Sequence, residues 1–223
     1  DAARQTQLAG FSYSASAAQL RLTAHKIADV IYEKLIGEKG AFATRIAYVV
    51  RLPGKRFALH VADADGYGPQ TILSSNEPII SPTWSPDGTR IVWRRFDVQG
   101  LIADVWMMNA DGSSQRQITD FGSMSWAPYI HPSGRYVIFA SNKLGFENFE
   151  LYMVDIDGSK EPVRVTYSDG FDGLPVPSPD GTRLAWTSTR GGGSDGQIYL
   201  AQWNHARALE ALAMAPPRNP ASR

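Results

Sequence analysis

The residues best placed to do chemistry in this chain are acids paired with glycine. Asp63, Asp65 and Gly66 open like a calcium loop, in which alternate side-chain oxygens and a glycine shape a cation-binding turn. Such a loop needs a later bidentate carboxylate, and residues 67 to 74 (YGPQTILS) contain no acid. The Asp-Gly pair also returns in MNADG and DIDG, so that Asp65, Asp111 and Asp157 stand 46 residues apart. A pair that recurs in register reads as a hairpin turn rather than a metal loop. Proton transfer near neutral pH would fall to His25, His60, His131 or His205. His25 lies in a helical pattern, His60 in an alternating strand, and His131 in a turn slot that holds Ser85 and Ser178 elsewhere. The sequence has no GxSxG elbow, no HExxH and no phosphate-cradling GxxxxGK[ST]. The glycine-rich run 191 to 196 (GGGSDG) joins two strands instead of opening a helix. These patterns predict a chain without catalytic residues, without a cofactor and without a metal site.

Binding chemistry is better represented. Phe96, Phe121, Trp126, Phe146 and Phe171 fall in loops and linkers, beside Asp120, Asp169 and Asp172. Aromatic side chains next to acids on loops are suited to protein contact, and these eight residues form the predicted partner-binding surface.

Those loops are spaced by a repeat. The stretch SPTWSPDGTRIVW, from Ser81 to Trp93, reads as strand, Pro-Asp-Gly turn and strand. It returns as APYIHPSGRYVIF and LPVPSPDGTRLAW, with Gly88, Gly134 and Gly181 at intervals of 46 and 47. Aromatic residues keep the same step: Tyr48, Trp93, Phe139 and Trp186 in second strands, Trp106, Tyr152 and Tyr199 in third strands. A period in the forties with four strands per unit predicts a β-propeller. The expected fold is mainly β, with about four four-stranded blades preceded by one α-helix and followed by a short C-terminal helix. The strands expected are 45–50, 57–63 and 70–73; 81–85, 90–94, 104–109 and 116–119; 127–131, 136–140, 150–155 and 163–166; and 174–178, 183–187 and 197–202.

Residues 1 to 40 read as a lead-in and a helix, 41 to 205 as the repeats, and 206 to 223 as a helix and tail. A short strand is expected near Phe11. The helix is placed at 23 to 36, with Thr23 as N-cap, Gly37 as C-cap, and Ile27, Val30, Ile31 and Leu35 on one stripe. In the repeats, the turns of the SPDG and DADG type share one face and read as scaffold. The variable loops occupy the other.

The 223 residues include no cysteine, and 22 basic residues balance 22 acidic ones. A neutral chain offers no electrostatic case for nucleic acid or an acidic membrane surface. No run of about 18 apolar residues spans a bilayer, and the opening DAARQTQLAG is not a signal peptide.

Residues 22 to 90, carrying HKIADVIYEKLIGEKGAFATRIAYV, DADGYGPQ and SPTWSPDG, resemble the TolB family of periplasmic propeller proteins of the Tol-Pal system. From about Arg90, ADVWMMNADG, SWAPYIHPSGRYVIFASNKLGFENFELYMVDIDG and DGFDGLPVPSPDGTRLAWTS look like TolB-like PD40 (WD40-type) repeat proteins, which often accompany secreted hydrolases. A change of branch near one residue leaves a natural truncation, an abridged chain and a chimera of the two branches open, and favours the last two. The resemblance implies a periplasmic, non-catalytic scaffold that binds the lipoprotein Pal or Tol components. It departs from the family in having four units instead of six, and only the last helix of an N-terminal α/β domain. Two other readings remain open: a propeller flanking a secreted hydrolase, which the resemblance to PD40 repeat proteins implies, and an engineered or recombined propeller without a native ligand. A first unit without its leading strand and a fourth without its outer one leave edges on which two copies could pair.

Overall fold

The computed structural model describes residues 3, 5–191 and 195–218. Residues 192 to 194 of the glycine run and the tail from 219, including Pro220, lie outside the described residues. The chain forms two compact units, Asp1–Tyr48 with His60–Thr71, and Val49–Leu59 with Ile72–Arg223.

In the first unit a short 3-10 turn, Ala17–Gln19, runs into α1, Leu20–Ile36. The helix therefore begins ahead of Thr23, and Thr23 is not its N-cap. Ser16 caps the entry instead, with its hydroxyl donating to Gln19 Oε1 at 3.0 Å. Gly37 ends α1 as expected. At φ 84° it takes the left-handed conformation, and its N–H donates to the Glu33 carbonyl. The predicted stripe is not a buried one: none of α1's residues is buried, and Leu35 is 67% exposed. Polar contacts hold the helix instead. The Asp29 carboxylate accepts the N–H groups of Phe42 and Ala43 at 2.7 and 3.0 Å. Gly40 lies against it so closely that a Cβ there would sit 2.2 Å from Asp29 Oδ1. The strand expected near Phe11 is absent, and residues 6 to 16 are irregular.

Among the described residues, fourteen strands form four antiparallel sheets. The first has β1 (Arg45–Leu52), β2 (Arg56–Asp63) and β3 (Gln70–Ser75), in chain order. In the second unit, β4 (Ile79–Trp84), β5 (Arg90–Phe96), β6 (Ala103–Asn109) and β7 (Arg116–Gln117) make the next sheet. The third sheet is β8 (Ser125–Ile130), β9 (Tyr136–Ser141), β10 (Glu150–Asp155) and β11 (Val163–Arg164). The fourth is β12 (Asp172–Pro177), β13 (Arg183–Ser188) and β14 (Gln197–Gln202), followed by α2 (His205–Met214). These are the predicted blades, three- and four-stranded. The leading strands start two residues earlier than the sequence suggests; those of the third and fourth sheets begin on Ser125 and Asp172, polar residues buried on hydrogen bonds.

Each Pro-Asp-Gly-type turn is closed in the same way. The N–H groups of Gly88, Gly134 and Gly181 donate to the carbonyls of Ser85, His131 and Ser178, at 2.9, 2.8 and 2.8 Å. The three glycines have φ of 67°, 69° and 71°, which a side chain would strain. Hydrogen bonds from the Ser85 hydroxyl and from Thr89 draw the Asp87 carboxyl down to about 2. One further feature repeats. Ser81, Ala127 and Leu174 have φ of 55°, 49° and 56°, and each precedes a proline at a β-bulge.

The blades stack face to face. Val92, Val105, Met107 and Ile118 pack against Ile130, Val137, Phe139, Tyr152 and Val154 of the next blade. The opposite face of that blade, Tyr136, Ile138, Ala140, Leu151 and Met153, meets Leu184 and Trp186. Ala208 and Leu212 of α2 fill the same layer. Asn204 caps α2 by accepting the N–H of Arg207 at 3.1 Å. His205, the first residue of α2, stacks on His131 with ring centroids 5.0 Å apart and planes 2° off parallel. Tyr136 OH accepts from Trp203 Nε1 at 2.6 Å and lies 3.1 Å from His205 Nδ1. Burial, and then the neighbouring His205, hold the His131 imidazole below the usual histidine value, while a hydrogen bond to Gly181 opposes this.

Two outcomes follow from this packing. Phe139→Ala removes a fully buried ring between two blades, at a cost of about 3–5 kcal/mol, read from urea unfolding. A histidine whose pKa falls on folding contributes stability above its unfolded value and loses it as pH drops. The unfolding midpoint therefore decreases as pH is lowered from the ordinary histidine value of 6.5, and His131→Asn reduces that decrease.

Candidate functional site

In the second unit, the loops opposite the Pro-Asp-Gly turns are held by side-chain caps. The Asp97 carboxylate accepts the N–H groups of Leu101 and Ile102 at 2.9 and 3.0 Å. These backbone donors, that of Ile102 foremost, lower its pKa. In the next blade Asn142 Oδ1 accepts the Met124 N–H at 2.9 Å, and Asn142 Nδ2 donates to the Phe146 carbonyl at 3.4 Å. Each polar cap fixes a loop whose tip is apolar. Val98 is 84% exposed, Leu101 71% and Phe146 85%, with Leu144 exposed beside them. A cleft of about 400 Å³ adjoins the first of these loops, lined in part by Glu77, Arg95, Phe96, Val98 and Trp106.

The eight predicted residues divide. Phe146 and Asp169 are exposed. Phe96 is half-buried, with the Arg94 guanidinium 4.1 Å above its ring. Phe121 packs on Tyr152 and Phe139, at 5.2 and 6.1 Å, and is covered by the Lys143 ammonium. Trp126, Phe149 and Phe171 form a mutual cluster with centroids 5.5 to 5.8 Å apart. Asp120 pairs with Arg218 at 3.4 Å. Asp172 is 1% exposed and accepts from Arg190 and from Trp186 Nε1. Asp172 thus supports the surface from beneath. Its neighbours Trp126 and Phe171 join consecutive blades, and Phe146 projects from them.

Sequence reasoning missed Val98, Leu101, Leu144 and the exposed Tyr167. The available signal was an aliphatic residue inside a loop otherwise made of Asp, Gln, Gly, Asn and Lys.

The first unit has a second concave site of about 390 Å³, lined by His25, Tyr32, Phe42 and Asp65 among others. Ligand atoms of His25, Asp63 and Asp65 come within 4.8 Å of one another. Arg21 forms ion pairs with both Asp63 and Asp65, so a cation there would have to displace a guanidinium. The histidines are engaged elsewhere too: His60 stacks on Tyr48 at 5.5 Å, and His131 with His205 braces α2. Among the described residues, no helix is long and apolar enough to cross a membrane.

The arrangement has counterparts among known proteins. The family model for the TolB beta propeller domain (PD40) matches residues 32–216 and runs across Arg90 without a break. The Tol-Pal system protein TolB of Bordetella pertussis is 40% identical over 199 residues, which cover 89% of this chain and 44% of that protein. The protein of the same name from Methylobacillus flagellatus is 63% identical over 97 residues, 44% of this chain and 22% of that one. The crystal structure of TolB from Acinetobacter baumannii superimposes with a TM-score of 0.79 at 33% identity, over 92% of this chain and 50% of that one. The chain spans less than half the length of these curated relatives. Dipeptidyl peptidase 4 of Porphyromonas gingivalis, at 14% identity and a TM-score of 0.54, shares the fold alone. The repeat, its blades and a match over most of their length agree, and the chain belongs to the TolB β-propeller family.

Proposed function

We propose that this chain is a non-catalytic protein-binding scaffold of the bacterial cell envelope, that it works in the periplasm, and that its partner is a Pal-like lipoprotein of the Tol-Pal system. The observation that carries the reading is the row of apolar tips, Val98, Leu101, Leu144 and Phe146, on equivalent loops of consecutive blades. Large apolar side chains are held out in water by caps that prevent the loops from folding over them, which is the character of a docking surface. The family relationship supports a partner from the Tol-Pal system. The histidines support the non-catalytic part, since three of the four stack on, or lie against, groups that brace the fold.

The scaffold turns and the binding loops are separable, so binding and stability respond to different substitutions. Purified Pal is expected to be retained by the immobilised chain at low and moderate salt. Combined Val98→Ser, Leu101→Ser and Phe146→Ser is expected to weaken capture about tenfold or more, with an unchanged far-UV spectrum and unfolding midpoint. Absence of capture by the parent chain, or full capture by the triple variant, removes this reading.

A further inference from the structure

The second and third blades show what closes the outer edge of a third strand. β6 pairs with β7 through Trp106–Gln117 and Met107–Arg116, and β10 with β11 through Tyr152–Arg164 and Met153–Val163. The next residue continues the ladder: Ile118 N–H donates to the Val105 carbonyl at 2.9 Å, and Val165 N–H to the Leu151 carbonyl at 2.7 Å. A threonine then locks each strand. Thr119 Oγ1 accepts the Val105 N–H and donates to Asp104, at 2.9 and 3.0 Å. Thr166 Oγ1 accepts the Leu151 N–H at 2.9 Å and donates to Glu150. The two closing segments, Arg116-Gln117-Ile118-Thr119 and Val163-Arg164-Val165-Thr166, thus follow one rule, an aliphatic residue followed by threonine.

Among the described residues, the last blade has no such segment. At the positions of Asp111-Gly112 and Asp157-Gly158, where the chain doubles back, it carries Asn204-His205. Gly112 and Gly158 turn at φ 88° and 64°. Asn204 instead caps a helix, and α2 carries the chain away into the layer between blades. Beyond α2, Arg218 N–H donates to the Ser159 carbonyl and Glu161 N–H to the Pro216 carbonyl, so the following segment is tied to the third blade. Among the described residues, the backbone hydrogen bonds of β14 are those to β13. Ile198 and Leu200 stand where Leu151 and Met153 stand one repeat earlier, and they are 83% and 63% exposed. Gln197 occupies the place of Glu150 without a threonine to clasp. At the other end, exposed Arg183 lies opposite Gln202. The equivalent end of the β11 segment is entered through Glu161, two residues before the strand.

We propose that the outer edge of β14 is a strand-acceptor site, and that its occupant is an extended segment of a partner protein. That segment carries an acidic residue, which faces Arg183, and then an aliphatic-threonine pair, which closes on Ile198 and Gln197. Main-chain hydrogen bonds supply the affinity and the two alternating positions the selectivity, as in other β-augmentation sites. The site lies apart from the apolar loop tips and does not depend on the role given to them.

The full chain is titrated with a fluorescent peptide of the sequence of residues 159 to 168, SKEPVRVTYS, followed by anisotropy and hydrogen exchange. Saturable one-to-one binding is expected at about 0.1 mM peptide or below, with the amides of Ile198 and Leu200 becoming protected. SKEPPRPTYS, in which prolines replace Val163 and Val165 and so remove the two N–H groups that face the acceptor strand, is expected not to bind. Leu200→Lys and, independently, Ile198→Lys weaken binding about tenfold, whereas Val98→Ser with Phe146→Ser leaves it unchanged and so separates this site from the Pal-binding reading. Four results overturn the proposal. These are no saturable binding, equal binding of the proline peptide, altered exchange confined to Glu150–Asp155 where the peptide would displace β11, and a dimer by light scattering whose contact protects β14.

Discussion

A blade of this size has two apolar faces and can bury neither alone, so the molecule depends on the contact between one sheet's face and the next. Phe139 is the centre of that contact. It is fully buried in the layer of Val92, Met107 and Ile118 from the preceding sheet, and Phe121 closes over it from the linker. On the reverse of the same sheet, Tyr136, Ile138 and Leu151 repeat the arrangement with Trp186 and α2. Burial at roughly 25 cal/mol per Å² acts here through layers shared by neighbouring blades, so each blade's stability is partly its neighbour's. The buried carboxylates of Asp104, Glu150 and Asp172, beside these layers, are paired. Glu150 is completely buried and is met by Arg164, Thr166 and the N–H of Ser168. Removing one member would leave a charge uncompensated, which is more costly than losing the pair as a whole.

Much of this architecture is written in local patterns. The Pro-Asp-Gly and Asp-Gly turns and the aromatic step of 46 or 47 belong to single strands and hairpins, where a residue's neighbours in sequence are its neighbours in space. The sequence reading therefore finds the second and third strands almost to the residue. It does less well where structure depends on distant partners. The leading strands begin on Ser125 and Asp172, whose polarity hides their burial. The entry to α1 rests on Ser16 and Gln19, two residues in a stretch of small polar ones that resembles a linker. Asp120 is matched to Arg218 across 98 positions, a distance at which no pattern speaks.

The candidate surface was half legible for the same reason. Composition identifies aromatic residues in loops but not whether a loop curls over them. Phe121 and Phe171 are drawn inward by rings from neighbouring blades, whereas Phe146 is held outward because Asn142 binds its carbonyl. The aliphatic tips Val98 and Leu101 owe their position to one carboxylate, Asp97, whose role depends on backbone geometry that a residue list does not contain. The turns of the opposite face share one closure. Those at Gly88 and Gly181 close on their own serines, threonines and aspartates, and that at Gly134 on His131 and Ser133.

The kinked leading strands have a bearing on assembly. In every blade from the second onward, one rim of the sheet is a strand that bends at Ser81, Ala127 or Leu174 and then meets a proline, which has no N–H to offer. Such a rim cannot template a straight neighbour. Any lengthening of a sheet must therefore proceed from its far rim alone, so that growth is one-directional. A protein built from units with one blunt side and one receptive side can exchange segments only through the latter.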